Sequence, residues 1–423
     1  MILVVNPVQS LKGRIFLPAS KSYSIRAFII AAGGGVSRII NPSDCDDAKV
    51  AMRIARHLGC DIRQIKNGAW KIKARHHRPH VAKINVGESG TVLRFLLPLL
   101  SLQQRASLVV GEGTLKARPN RHLLTTLRAM GVKIRGTGSK ESVPIRLNGG
   151  RMSAGKIEID GSLSSQFVSA LLIACPQLNE NTRLIIKGRQ MVSADYVTMT
   201  LAVLKMAGIK VRKLGQRQFR ISGRQTFKGL KNFTVPSDYG LAAFLLAAGV
   251  LLKSDLTLNG NWGRNLLQAD GRIFQFLRQM GVRLRLTSRA IRIKGPIELK
   301  GGKFSLKNCP DLVPIVAVLA LFAKGQTLLT DIYHARAKES DRISDLRQEL
   351  LKVGADVCEK NNALIINPKS IYRSGLVLDP HHDHRLAMAF AVLGLKVGVT
   401  VKDIDCVSKS YPGFVRDIKS LGA

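Results

Sequence analysis

Cations and hydroxyls recur in this chain where apolar helices should begin. Lys21, Ser22, Ser24 and Arg26 follow a Pro-Ala-Ser turn and lead into the apolar run FIIAA. A cation in the opening turns of a helix opposes the macrodipole, which is costly unless an anion binds there. Hydroxyl capping accounts for Ser22 or Ser24 but not for Lys21 and Arg26. Gly87 and Gly90 bracket another start, with Thr91 and Arg94 behind them, and Arg94 stands out in an otherwise apolar stretch. Arg118-Pro119 precedes RHLLTTL, Ser164, Ser165 and Gln166 head FVSALLIA, Arg385 heads LAMAFAVLGL, and Lys409 stands before a Pro turn. Asp238 and Asp311 each precede an apolar helix, where a carboxylate can cap the helix or do chemistry. Arg336, Lys338, Glu339, Asp341 and Arg342 crowd together, as on a solvated helix face or in a charged site. His381, His382, Asp383 and His384 are adjacent rather than spaced i, i+4, so no metal is expected. Helix N-termini flanked by cations, gathered around one cleft, would bind substrates carrying several negative charges.

The elements that must carry these residues show as a repeat. Six helix-like segments end at a glycine followed by an apolar residue, at Gly59, Gly131, Gly208, Gly281, Gly354 and Gly422. By subtraction the spacings are 72, 77, 73, 73 and 68 residues, longer than a solenoid turn of roughly 20–50. The pattern predicts a helix closed by a left-handed C′ glycine that feeds an alternating strand, so the chain is six αβ units. In 423 residues these divide into two lobes of three.

Composition narrows the field. Aromatics make up 5% of the chain, too few for a surface that stacks single-stranded bases. The apolar run at 241–252 is shorter than the roughly 20 residues that span a bilayer, and reads as a buried helix. The N-terminus lacks the charged region of a signal peptide. Six cysteines without C-x-x-C spacing fit reduced, cytosolic usage. The net charge of +38 admits a polyanion partner, but the basic residues are spread along the chain rather than concentrated, so an ordinary enzyme with a basic surface is the favoured reading. The cluster at 71–80 reads as a solvated loop or hairpin.

Taken in order, SKSYSIRA, GESGTVLR, GSLSSQF, RAKESDRI, DHRLAM and KSYPGF resemble the motifs of the 5-enolpyruvylshikimate-3-phosphate synthases over essentially the whole chain. The resemblance implies an α/β, two-lobed enolpyruvyl transferase fold of six βαβαββ units, three per lobe, with helices inside the sheets. One lobe would comprise 1–19 and 236–423, the other 20–235, with crossings near 17–20 and 234–237. It implies transfer of the enolpyruvyl group of phosphoenolpyruvate to the 5-hydroxyl of shikimate 3-phosphate, through a tetrahedral intermediate that loses phosphate. Lys21, Ser22, Arg26, Ser164, Ser165, Gln166, Ser193, Asp311, His334 and Lys338 would hold shikimate 3-phosphate. Lys21, Gly90, Arg118, Gln166, Arg342, Arg385 and Lys409 would hold phosphoenolpyruvate. Asp311 would be the base, Glu339 the proton donor or relay, and Lys21 would serve both substrates. No metal or organic cofactor, membrane or nucleic acid is implied, and a cytoplasmic monomer whose lobes close on substrate is expected. The sister UDP-N-acetylglucosamine enolpyruvyl transferases usually carry a cysteine where this chain has Gly113. Ile25, Glu88 and His334 replace the asparagines of the synthase pattern, and Glu88 puts a negative charge beside the expected phosphoenolpyruvate site. A weakly active or inactive relative and a polyanion-binding protein on the same scaffold are the alternatives.

Overall fold

The computed structural model describes residues 1–65, 68–75, 82–262 and 266–422. The chain folds into two compact units, Met1–Pro18 with Pro236–Ala423, and Ala19–Val235. The first part of the 71–80 cluster lies in the strand Ala69–Ala74, paired antiparallel with Cys60–Ile65, and 76–80 fall outside the described residues.

The 19–235 unit contains α1 (Lys21–Ala31), α2 (Asp46–His57), α3 (Gly90–Ser101), α4 (Arg121–Ala129), α5 (Ser165–Ala174) and α6 (Ala194–Met206). Its repeat is plainest in the sheet Lys83–Asn85, Ala106–Val110, Ser142–Asn148, Ile134–Thr137, in that spatial order. The first pair is parallel and joined through α3, and the others are antiparallel, which makes one βαβαββ unit. Gly155–Asp160, Thr182–Lys187, Gln218–Ile221 and Val211–Gly215 repeat it. The third copy takes its first strand, Phe233–Thr234, from the end of the unit and lays it parallel to Val36–Ile40.

The other unit holds α7 (Tyr239–Leu251), α8 (Arg272–Gln279), α9 (Val313–Leu321), α10 (Ser344–Lys352), α11 (His384–Val397) and α12 (Phe414–Ser420). Here the N-terminal residues complete two repeats. Ser10–Phe16 pairs parallel with Lys253–Asn259, and Leu3–Val5 pairs antiparallel with Val399–Val401. The sixth repeat is thereby closed by the start of the chain.

Every even-numbered helix ends at one of the six marker glycines, and all six have positive φ, from +80° to +102°. At Gly131 the closure is a Schellman motif. Its N–H donates to Arg128 O, and the N–H of Val132 donates to Leu127 O.

The odd-numbered helices are the core. α9 is buried along its whole length, and α7 from Gly240 to Leu251. The run at 241–252 is thus the buried helix expected of it. In α3 and α5 one residue each escapes full burial, Thr91 and Gln166, and in α1 only Lys21 and Ser22 do. All four lie in the first turns. Apolar packing fixes these helices along their length and presents their N-terminal side chains.

Candidate active site

In the 19–235 unit the three core helices are capped by serines. The hydroxyls of Ser20, Ser89 and Ser164 accept from the N–H groups of Tyr23, Val92 and Gln166. None of the three has an acidic residue in its first turn to offset the positive end of its dipole. Lys21 Nζ stands 3.4 Å from Asp47. Gln166 is held on both sides: its Nε2 donates to Thr91 Oγ1 at 2.9 Å and its Oε1 accepts from Arg94 Nη1. Arg94 also donates to Asn120 Oδ1 and Pro119 O, next to Arg118. In the sequence Arg94 is visible as a cation in an apolar helix, yet its part in orienting Gln166 needs the tertiary contact. The Arg118 guanidinium packs over Gly90, where a Cβ would stand 2.6 Å from Nη1. Ser193 takes a left-handed conformation, φ +54°, at the head of α6, and its hydroxyl caps nothing there. For a serine that backbone is strained.

Arg26 sits deeper than the sequence suggests. It is 1% exposed, and its Nε, Nη1 and Nη2 donate to Thr200 Oγ1, Ser22 O and Tyr196 O, with the rings of Phe95 and Tyr196 flanking it. Burial brings its pKa down to about 10, against the pull of the Tyr23 and Tyr196 hydroxyls. With three of its five donor hydrogens engaged, Arg26 ties α1 to α6 behind the helix ends.

The other unit gathers the charged residues of four segments. Asp311 Oδ1 accepts from Lys338 Nζ at 3.2 Å and Arg342 Nη1 at 2.7 Å, and Arg385 Nη2 lies 3.5 Å from Oδ2. Burial works to raise the Asp311 pKa, but Lys338, Arg342 and Arg385 outweigh it and hold the carboxyl well below its usual range. Asp311 does not cap α9, which has no side-chain cap, whereas Asp238 does cap α7 through Leu241 N–H. Arg342, 1% exposed, is the hub. It bonds Asp383 through Nε at 2.7 Å and Nη2 at 3.2 Å, Asp311 through Nη1, and Glu339 through Nη2 at 2.9 Å. Four of its five donor hydrogens face carboxylates in this structure, so Arg342 links Asp311, Glu339 and Asp383. Asp383, fully buried, also caps α11 through Arg385 N–H. In the sequence it is visible in the His381–His384 cluster and in DHRLAM, but its bond to Arg342 is not.

Arg385 is differently placed. Its Nε and Nη1 are buried and make no hydrogen bond among the described residues. Burial lowers its pKa, yet Asp311, Asp270 and Asp238 raise it overall, so the cation persists. Lys409 Nζ lies 3.9 Å from Glu339 Oε1. His334 is 3% exposed, its Nε2 makes no hydrogen bond among the described residues, and burial, helped by Lys338, pushes its pKa down to about 3. It is neutral at physiological pH. His381 and His382 turn to Glu349 and Asp403, and His384 is buried in α11, so the three point to different surroundings.

The departures from the family pattern find ordinary settings. Ile25 is buried in α1. Glu88 accepts from Thr114 N–H and Oγ1–H, at 3.4 and 3.2 Å.

The sequence matches the EPSP synthase (3-phosphoshikimate 1-carboxyvinyltransferase) family over residues 5–418. A 3-phosphoshikimate 1-carboxyvinyltransferase of Methanosarcina mazei is 36% identical, covering 98% of this chain and 96% of the relative. One of Methanocaldococcus jannaschii is 35% identical over 100% and 98%. The solved structure of EPSP synthase from Acinetobacter baumannii superposes with a TM-score of 0.79 at 26% identity, covering 99% of this chain and 98% of that one. With the repeat, the segment order and these likenesses in agreement, the chain belongs to the EPSP synthase family and has its enolpyruvyl transferase fold.

Proposed function

We propose that the protein transfers the enolpyruvyl group of phosphoenolpyruvate to the 5-hydroxyl of shikimate 3-phosphate and releases phosphate. The observation that carries this reading is Asp311, a carboxylate kept ionised by three surrounding cations and not spent on a helix cap. It takes the proton of the 5-hydroxyl as that oxygen attacks C2 of phosphoenolpyruvate. Glu339, beside Lys409, delivers or relays the proton to the methylene carbon. Loss of a proton from the resulting methyl group and departure of phosphate complete the exchange. Arg385, whose buried Nε and Nη1 have no partner among the described residues, and Lys409 and Arg118 meet the charge of phosphoenolpyruvate. Lys21, Ser22, Ser164, Ser165, Gln166, Ser193, His334 and Lys338 hold shikimate 3-phosphate. The serine-capped helix ends, with no acidic residue in their first turns, supply N–H dipoles for its anionic groups. Arg26 and Arg342 are assigned supporting places, behind Ser22 and among the carboxylates. A cytoplasmic monomer is part of the reading, and six cysteines scattered without C-x-x-C spacing fit a reducing compartment.

The test is phosphate release with both substrates present. Asp311→Asn removes the base, and a loss of about 10²–10⁴ in kcat is expected with the fold intact by circular dichroism. No release from the folded wild-type chain, or equal rates in wild type and variant, would overturn the reading.

A further inference from the structure

Glu88 is the residue that the proposed chemistry would least welcome, because a carboxylate beside an anion site repels the ligand. Its surroundings give it a use. Glu88 precedes Ser89, the cap of α3, and Gly90. Its Oε2 accepts from both the backbone N–H and the hydroxyl of Thr114, in the 3₁₀ turn Gly113–Ala117. The carboxylate also fills the space in front of Gly113: a Cβ there would collide with both oxygens, at 2.7 Å from the farther one. Gly113 has φ +49°, and the turn that it opens ends at Arg118. At that end the contact is reciprocal, since the Arg118 guanidinium lies against Gly90. The backbone joins the same two segments through Glu112 N–H and Gly87 O at 2.9 Å. So the segments 87–90 and 112–118 hold each other at both ends, Glu88 on Thr114 and Arg118 on Gly90.

We propose that Glu88 is a positioning residue that latches the Gly113–Ala117 turn and thereby holds the Arg118 guanidinium over Gly90, with Gly113 as the side-chain-free position that the latch requires. This rests on the assignment of Arg118 to phosphoenolpyruvate. The latch acts on ligand binding, not on the proton transfers, because it contacts Arg118, a proposed phosphoenolpyruvate ligand, and none of its members is assigned a proton-transfer role. Freeing the turn lets the arginine sample other rotamers, and ordering it again weakens binding.

Two readouts separate the latch from the site that it serves. Hydrogen exchange of the ligand-free protein reports the turn itself. Faster exchange across 113–117 is expected in Glu88→Ala and wild-type behaviour in Glu88→Gln, which keeps an acceptor oxygen. Steady-state kinetics report the consequence. Glu88→Ala is expected to raise KM for phosphoenolpyruvate about five- to tenfold, a cost of about 1–1.4 kcal/mol, with kcat and KM for shikimate 3-phosphate within about twofold. Gly113→Ala should impair phosphoenolpyruvate binding as well, and adding Glu88→Ala to it should cost little more, since both break the same contact. Unchanged exchange in Glu88→Ala would overturn the latch, as would additive effects in the double variant or a Glu88→Gln protein as impaired as Glu88→Ala. If exchange rises while Glu88→Ala and Arg118→Ala both leave KM for phosphoenolpyruvate unchanged, the latch stands and the assignment of Arg118 falls.

Discussion

Arg342 and His334 show what burial does to single charged or titratable groups. Arg342 neutralises Asp311, Glu339 and Asp383 at once, and burial, which alone would lower its pKa, is outweighed by those three carboxylates. Removing one member of a buried ion cluster strands the others, at about 3–5 kcal/mol. Arg342→Leu is therefore expected to lose stability of that order in urea unfolding, well beyond what a surface arginine would cost. His334 links stability to pH. Its folded pKa of about 3 lies below the roughly 6.5 of the unfolded chain. Between those values the unfolded chain binds a proton that the folded chain does not, so stability falls as pH drops from about 6.5 toward 3. His334→Asn should flatten that slope, which melting temperatures at pH 7.5 and pH 5 will measure. The residue types of both positions were legible in the sequence. Which donors of Arg342 and Arg26 remain for a ligand was not, because that depends on Asp383, Thr200 and Tyr196, each more than 40 residues away or in another segment.

Elements divide by parity. The odd helices are buried on nearly all sides, and residues assigned to the site stand in the first turns of α1, α3, α5 and α11, whereas the even helices bury one face and end at the marker glycines. That glycine rule is testable where two glycines differ in their surroundings. At Gly131, φ +92°, a Cβ would also stand 2.7 Å from Arg151 O. At Gly138, φ +66°, nothing lies within 4 Å. A left-handed alanine costs roughly 1–2 kcal/mol, so Gly138→Ala should lose about that or less, and Gly131→Ala clearly more, by chemical denaturation. The repeat was readable because a helix-ending glycine sits at a near-constant phase. The borrowing of strands, Phe233–Thr234 by the sheet of Val36–Ile40 and Leu3–Val5 by that of Val399–Val401, was not, since strand partners far apart in the chain leave no local signal.

Across the whole molecule the excess of positive charge has a pattern. Lys156, Arg183, Arg220 and Arg212 stand in register across one sheet, all exposed, and Arg38, Lys71 and Arg63 form a similar row on another. Like charges directly opposite one another destabilise a sheet. Salt screens them, with a Debye length of about 10 Å at 0.1 M and about 3 Å at 1 M. The melting temperature is therefore expected to rise by a few degrees, about 2–5, between 50 mM and 500 mM sodium chloride. A flat or falling curve would mean that the rows carry no net strain.

The sequence by itself determined the repeat, the buried helices and the set of polar residues at their starts. Local rules write these features: glycine for positive φ, apolar runs for burial, hydroxyls for caps. Only the tertiary structure decided which charges face one another. It set Arg342 among three carboxylates, left Arg385 with two donor atoms unpartnered among the described residues, and turned Glu88 from an intruder into a partner of Thr114. Such pairings follow from which segments the core brings side by side, and no residue carries that information in its own neighbourhood along the chain.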